Sequence, residues 1–156
     1  QDMVAVDSIN LGKASRMSDA QGRYIEFCKS TFLDLDLSGL SILLDCANGA
    51  TYSVAPKVFE ELGAVVNTIG SSPDGININQ NCGSTSPEFL KDEITKGKYD
   101  IGIAFDGDGD RILIITSDGD ILDGDDILYI LSQKLLKGSG VVGTLMTNKA
   151  LEIYFE

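Results

Sequence analysis

Three short apolar runs, Ser41 to Ala47, Ala64 to Ser71 and Tyr99 to Phe105, are separated by segments whose apolar residues recur at helical spacing. Runs of this length and character suit buried strands of a parallel sheet. Parallel neighbours need a crossover between them, and a helix is the usual one. This alternation confines the chain to the α/β class before anything else is considered.

The remaining segments extend the pattern. Asp19 to Phe32 reads as a helix, with Tyr24, Phe27, Cys28 and Thr31 on one face. Val54, Val58, Phe59 and Leu62 recur at helical spacing, with Pro56 in the first turn and Gly63 as a stop. An Asn- and Gly-rich loop follows from Ser72 to Ser84. Thr85-Ser86-Pro87-Glu88 predicts a helix start with a Thr85 hydroxyl cap and Glu88 reaching back. Leu90 and Ile94 supply that helix's apolar face, and Gly97 ends it. Arg111 to Thr116 is a fourth strand, and Ser117 to Asp120 is a hairpin turn. Asp123 caps a last helix carrying Ile127, Leu128, Leu131 and Leu135, with Lys134 and Lys137 at its C-terminal end.

The order βαβαβ, then a hairpin and a helix, predicts a three-layer α/β/α sandwich. Its sheet is mixed and mostly parallel, with an antiparallel edge strand. Residues 1–137 are expected to form one α/β domain. After Gly138-Ser139-Gly140 a new strand is expected at Val141 and a helix near Leu151. Residues 138–156 therefore read as a linker and the truncated start of a further domain.

Charge and composition remove several function classes. The net charge is -12, which argues against a nucleic-acid surface. Nine Asp and one Arg between Asp100 and Asp126 contribute -8 of it. The chain has no histidine, so a Ser-His-Asp triad, a Cys-His pair and a His-ligated zinc are excluded within it. Cys28, Cys46 and Cys82 are widely spaced and odd in number, which fits reduced thiols in a cytoplasmic protein. No apolar run is long enough to span a membrane, and Gln1-Asp2-Met3 does not open a signal peptide.

The chemistry concentrates in Phe105-Asp106-Gly107-Asp108-Gly109-Asp110-Arg111, directly after a predicted strand. Ligands of open α/β folds bind at the carboxyl ends of the strands. Asp106, Asp108 and Asp110 alternate with glycines, so an extended backbone points all three the same way and can curl them around one point. Three crowded carboxylates repel one another unless a cation sits among them. An all-oxygen donor set selects a hard cation such as magnesium, manganese or calcium. Arg111 beside such a cation is suited to gripping a phosphoryl group with its planar fork.

Asp-Gly is also ordinary turn chemistry. Asp118 and Asp120 read as turn residues, and Asp123, Asp125 and Asp126 as a helix cap and first-turn acids. A calcium-binding EF-hand needs Gly and Glu where this chain has Arg111 and Ser117, so it is excluded. Two other classes stay open. One is a phosphatase in which Asp106 is the nucleophile, and the other a non-enzymatic, acidic cation-binding module.

The loop from Asp106 to Arg111 resembles the metal-binding loop of the alpha-D-phosphohexomutases without departure. Leu11 to Arg16, Gly22 to Phe27, Asp45 to Ala50 and Gly75 to Thr85 resemble the phosphoglucosamine mutase branch of that superfamily. Ser86 departs from the branch, where His is common. The resemblance covers nearly the whole chain. It implies the second of four domains, with the start of the third. It further implies an isomerase of carbohydrate metabolism and cell-wall biosynthesis that interconverts glucosamine 6-phosphate and glucosamine 1-phosphate. A phosphoserine and a bisphosphorylated sugar would be its intermediates. Mg2+ on Asp106, Asp108 and Asp110 would bind the serine's phosphate, and Arg111 would contact it. The serine and the sugar- and phosphate-binding loops would lie in other domains, so this chain alone would be inactive.

Overall fold

A computed structural model describes residues 6–32, 34–135 and 140–155. Its elements are α1 (Ala20–Ser30), β1 (Ser41–Asp45), α2 (Ala55–Glu61), β2 (Val65–Ile69), α3 (Glu88–Glu93), β3 (Ile101–Phe105), β4 (Ile112–Thr116), β5 (Ile121–Leu122), α4 (Gly124–Leu135) and α5 (Lys149–Phe155). The five strands form one sheet in the order β2-β1-β3-β4-β5. β1 pairs in parallel with both β2 and β3, whereas β4 runs antiparallel to β3 and to β5. The reversed strand is thus β4, one place in from the edge, and the two-residue β5 closes the sheet.

The central strands are buried on both faces. Ile42, Leu44 and Ile103 pack with Ala55 and Phe59 of α2 on one side. Leu43, Ala104 and Ile115 pack with Leu90 of α3 and Ile94 just beyond it on the other. This is the expected three-layer α/β/α arrangement, and alternate residues of the same strand feed opposite layers. Pro56 lies in the first turn of α2, and Gly97, with φ of +75°, ends the helical run that continues α3.

Three local expectations fail. In α1 the buried side chain is Ile25, while Tyr24 and Phe27 are 56% and 64% exposed. The helix has apolar residues on more than one stripe, and packing on α2 selects among them. At α3 the Thr85 cap does not form: no side chain caps the helix, and the Ser86 hydroxyl donates to the Glu88 carboxylate at 3.1 Å instead. Among the described residues no strand forms at Val141. Thr144 to Thr147 make a turn, and Val142, Leu145 and Met146 are exposed. A helix near Leu151 is present as α5. Its approach is fixed by Asp125 of α4, which accepts the Asn148 amide at 2.9 Å, and by an edge-on Tyr129–Tyr154 contact.

The hairpin and the last cap are as expected. Thr116 and Asp120 close the turn, with the Thr116 amide donating to the Asp120 carbonyl at 2.9 Å. Asp123 accepts the amides of Asp125 and Asp126, and Asp126 accepts that of Asp123 in return. Lys137, the 137/138 boundary and Gly138-Ser139 lie outside the described residues. Among the described residues no helix is long and apolar enough to cross a membrane.

Candidate metal centre

β1 leads through α2 to β2 on one side, and β2 leads through α3 to β3 on the other side of β1. The carboxyl ends of β1 and β3 therefore mark a switch point, and open α/β sheets bind ligands in the crevice at such a point. Among the described residues the buried charged side chains are Asp45, which ends β1, and Asp106, which follows β3. They stand side by side because β1 and β3 pair with Asp45 opposite Ala104.

Asp45 is a scaffold residue. One of its oxygens accepts the Ala47 amide at 2.9 Å and the other the Gly83 amide at 2.6 Å. It thereby ties the loop after β1 to the end of the long loop that precedes α3. Ala47 and Asn48 sit at positive φ in that tie, a strained backbone that surrounding contacts must hold. Sequence reading did not single out Asp45 as a structural carboxylate, although an acid at the end of an otherwise apolar strand was a usable signal.

The loop from Asp106 to Arg111 is held by the same network. The Gly107 carbonyl accepts the Ala50 amide at 2.8 Å, and the Phe105 carbonyl accepts the Ser84 amide at 2.8 Å. Gly49 must lack a side chain, since a Cβ there would overlap the Gly107 carbonyl. Asp106 is 1% exposed. Its Oδ1 accepts the amides of Gly109 and Arg111 at 3.2 and 3.1 Å, and its Oδ2 accepts Arg111 Nε at 2.7 Å. Burial pushes the Asp106 carboxyl up, but the Arg111 side chain, amide and charge together outweigh it and hold the group at about 2.

Carboxylate oxygens of Asp106, Asp108 and Asp110 lie within 4.8 Å of one another, with Asp108 and Asp110 open to solvent. The charges of Asp108 and then Asp106 push the Asp110 carboxyl above the usual range. This is the repulsion that a cation would relieve. The donor set is wholly oxygen, from three carboxylates, and fits a hard divalent cation. Arg111 is 66% exposed in its side chain and uses Nε on Asp106, and its Nε also lies 3.7 Å from Asp110.

The other sequence candidates part company here. Asp118 and Asp120 lie in the hairpin turn at the far end of β4, and Asp123, Asp125 and Asp126 make the α4 cap. Asp45 to Ala50 and Gly75 to Thr85 do converge on the Asp106 loop, whereas Leu11 to Arg16 lies exposed and belongs to no helix or strand. A mostly apolar cavity of about 580 Å³ opens between α1, α2 and the loop, lined by Tyr24, Cys28, Val58 and Phe59 with Asp108 and Gly109 at its rim. The three cysteines are free thiols. Burial raises the Cys46 thiol to about 11, against a smaller lowering by the Thr51 hydroxyl, so it stays protonated.

Known proteins resemble this chain in sequence and fold. Residues 22–119 match the family described as phosphoglucomutase/phosphomannomutase, alpha/beta/alpha domain II. A phosphoglucosamine mutase of Cronobacter sakazakii is 54% identical over 158 residues, covering 98% of this chain and 36% of that protein. One of Methylobacillus flagellatus is 57% identical over 157 residues, covering 97% of this chain and 35% of that protein. The chain thus spans little more than a third of the length of these relatives. A crystal structure of a phosphoglucomutase/phosphomannomutase family protein from Burkholderia thailandensis superposes with a TM-score of 0.63 at 30% identity, over 75% of this chain and 26% of that one. An apo N-acetylglucosamine-phosphate mutase, 20% identical with a TM-score of 0.53, shares the fold.

Proposed function

This chain belongs to the phosphoglucomutase/phosphomannomutase family, and from that premise we propose that it is the second domain of a phosphoglucosamine mutase and supplies its divalent-cation site. The relatives named for that activity, at 54% and 57% identity, support the branch. The complete enzyme would interconvert glucosamine 6-phosphate and glucosamine 1-phosphate by way of a phosphoserine and a bisphosphorylated sugar. The residues from 138 onward would lead into the third domain. A cytoplasmic setting accords with three free thiols.

The observation that carries the reading is the cluster of three carboxylates within 4.8 Å at the switch point of the sheet. Asp106, Asp108 and Asp110 would hold Mg2+. When bound there, the cation would neutralise phosphoryl charge during transfer. The protein's own part is to keep Asp106 ionised and aimed, which the Arg111 Nε and two amides do. Arg111 also places a permanent positive charge at the crevice, beside the position a phosphoryl oxygen would take. Both Asp106 oxygens are already engaged and the residue is buried, which favours a ligand over a nucleophile that must attack in line.

Titration calorimetry with Mg2+ or Mn2+ on this chain tests the proposal. Weak binding is expected, because Mg2+ usually relies on phosphate for part of its shell. It should vanish in Asp108→Ala and tighten when a phosphoserine peptide is added. Equal binding by Asp108→Ala and the parent would remove the site.

A further inference from the structure

The long loop between β2 and α3 does more than connect them. Its residues Ile78 and Asn79 press on the carboxylate loop at Gly107, between Asp106 and Asp108. A Cβ on Gly107 would lie 2.6 Å from Ile78 Cδ1 and 2.9 Å from Asn79 Nδ2. From another direction, Gly107 is held by its carbonyl, which accepts the Ala50 amide at 2.8 Å. Gly107 is thus gripped between the loop after β1 and the 72–84 loop.

Asn79 is itself firmly set. Its backbone is left-handed, with φ of +57°, and its amide donates to the Ala47 carbonyl at 2.8 Å. Its side-chain oxygen, however, is shielded from solvent and has no hydrogen-bond partner among the described residues. A buried acceptor without a donor costs stability and calls for a reason beyond folding. The adjacent loop is the element with a reason to move, since its three carboxylates repel one another and a cation would draw them in.

We propose that Asn79 is a positioning residue for the carboxylate cluster: its carboxamide, whose Nδ2 lies against Gly107, braces the backbone of the loop on which a divalent cation would be held. Asn79 makes no hydrogen bond to Asp106, Asp108 or Asp110 among the described residues, so it acts through Gly107. Cation uptake and the arrangement of the 72–84 loop are thereby coupled. The inference rests on the cation site proposed above.

Asn79→Gly is the apt variant, because glycine keeps the left-handed backbone while deleting the carboxamide. Affinity for Mn2+ is measured by calorimetry, and melting temperature is followed with and without Mn2+. Loss of a residue that orients metal ligands weakens affinity by roughly 10–100-fold, and a loss of that size is expected here. The cation-free melting temperature should hold or rise, since an unpaired acceptor is gone, while the rise caused by Mn2+ shrinks. Should Asn79→Gly not fold, Ile78→Ala, at a half-exposed side chain sharing the contact, carries the test with the same expected loss. Unchanged affinity overturns the inference while leaving the cation site intact. So does weaker binding that merely follows a lower cation-free melting temperature. No Mn2+ binding by the parent chain overturns the site and this inference together.

Discussion

Asp45 and Asp106 show how two like residues at neighbouring strand ends take different parts. Asp45 spends both oxygens on backbone amides and fixes the crevice. Asp106 shares its oxygens between amides and Arg111, and the positive charge keeps it ionised despite burial. This geometry sharpens what Arg111 must do. Its Nε is committed to Asp106, and the rest of the guanidinium fork is open to solvent. A lysine has one ammonium and cannot hold Asp106 and grip a phosphate together. Arg111→Lys in the complete mutase should lower kcat by roughly 10²–10³, the usual loss when one preorganised donor is removed. Thermal unfolding should change little, because lysine keeps a positive charge beside Asp106. A kcat within error of the parent would show that Arg111 only neutralises Asp106.

The helices differ sharply in what they contribute. Leu90 of α3 and Ile94 just beyond it are completely buried against β1, β3 and β4. α1 packs on α2, and its Tyr24 and Phe27 are more than half exposed. Its Lys29 pair with Glu61, at 2.6 Å, is also at the surface and adds little. Leu90→Ala should therefore cost about 2–5 kcal/mol as a core truncation. Phe27→Ala should stay within about 0.5 kcal/mol, as for other surface changes. Urea unfolding of the two variants checks this, and a comparable loss for both would mean that α1 packs more deeply than described. Helical spacing revealed that both segments were helices, since the period is local. It did not reveal which stripe of α1 faces inward, because that depends on where α2 lies. The missing strand at Val141 has the same cause: a strand exists only with a partner to pair with.

On the proposed reading, the whole chain supplies one part of a catalytic apparatus. It holds a carboxylate cluster and an arginine, and it covers 36% of the length of a relative named for the reaction. Incubated with glucosamine 6-phosphate, Mg2+ and a bisphosphate activator, it should form no glucosamine 1-phosphate above a buffer control. Clear turnover would refute the four-domain reading. Much of this protein was legible from its residues. The alternation of apolar runs and helical periods determined the α/β/α class, because burial on both faces leaves parallel strands few other partners. The spacing of Asp106, Asp108 and Asp110 after a strand placed the candidate site, since a strand end and a three-residue alternation are both local in sequence. Tertiary structure alone decided which distant residues support it. Asp45, Ala50, Asn79 and Gly83 reach the Asp106 loop only because strand order places β1 beside β3 and folds the 72–84 loop over their ends. No spacing along the chain encodes a contact that arises between loops from different strands.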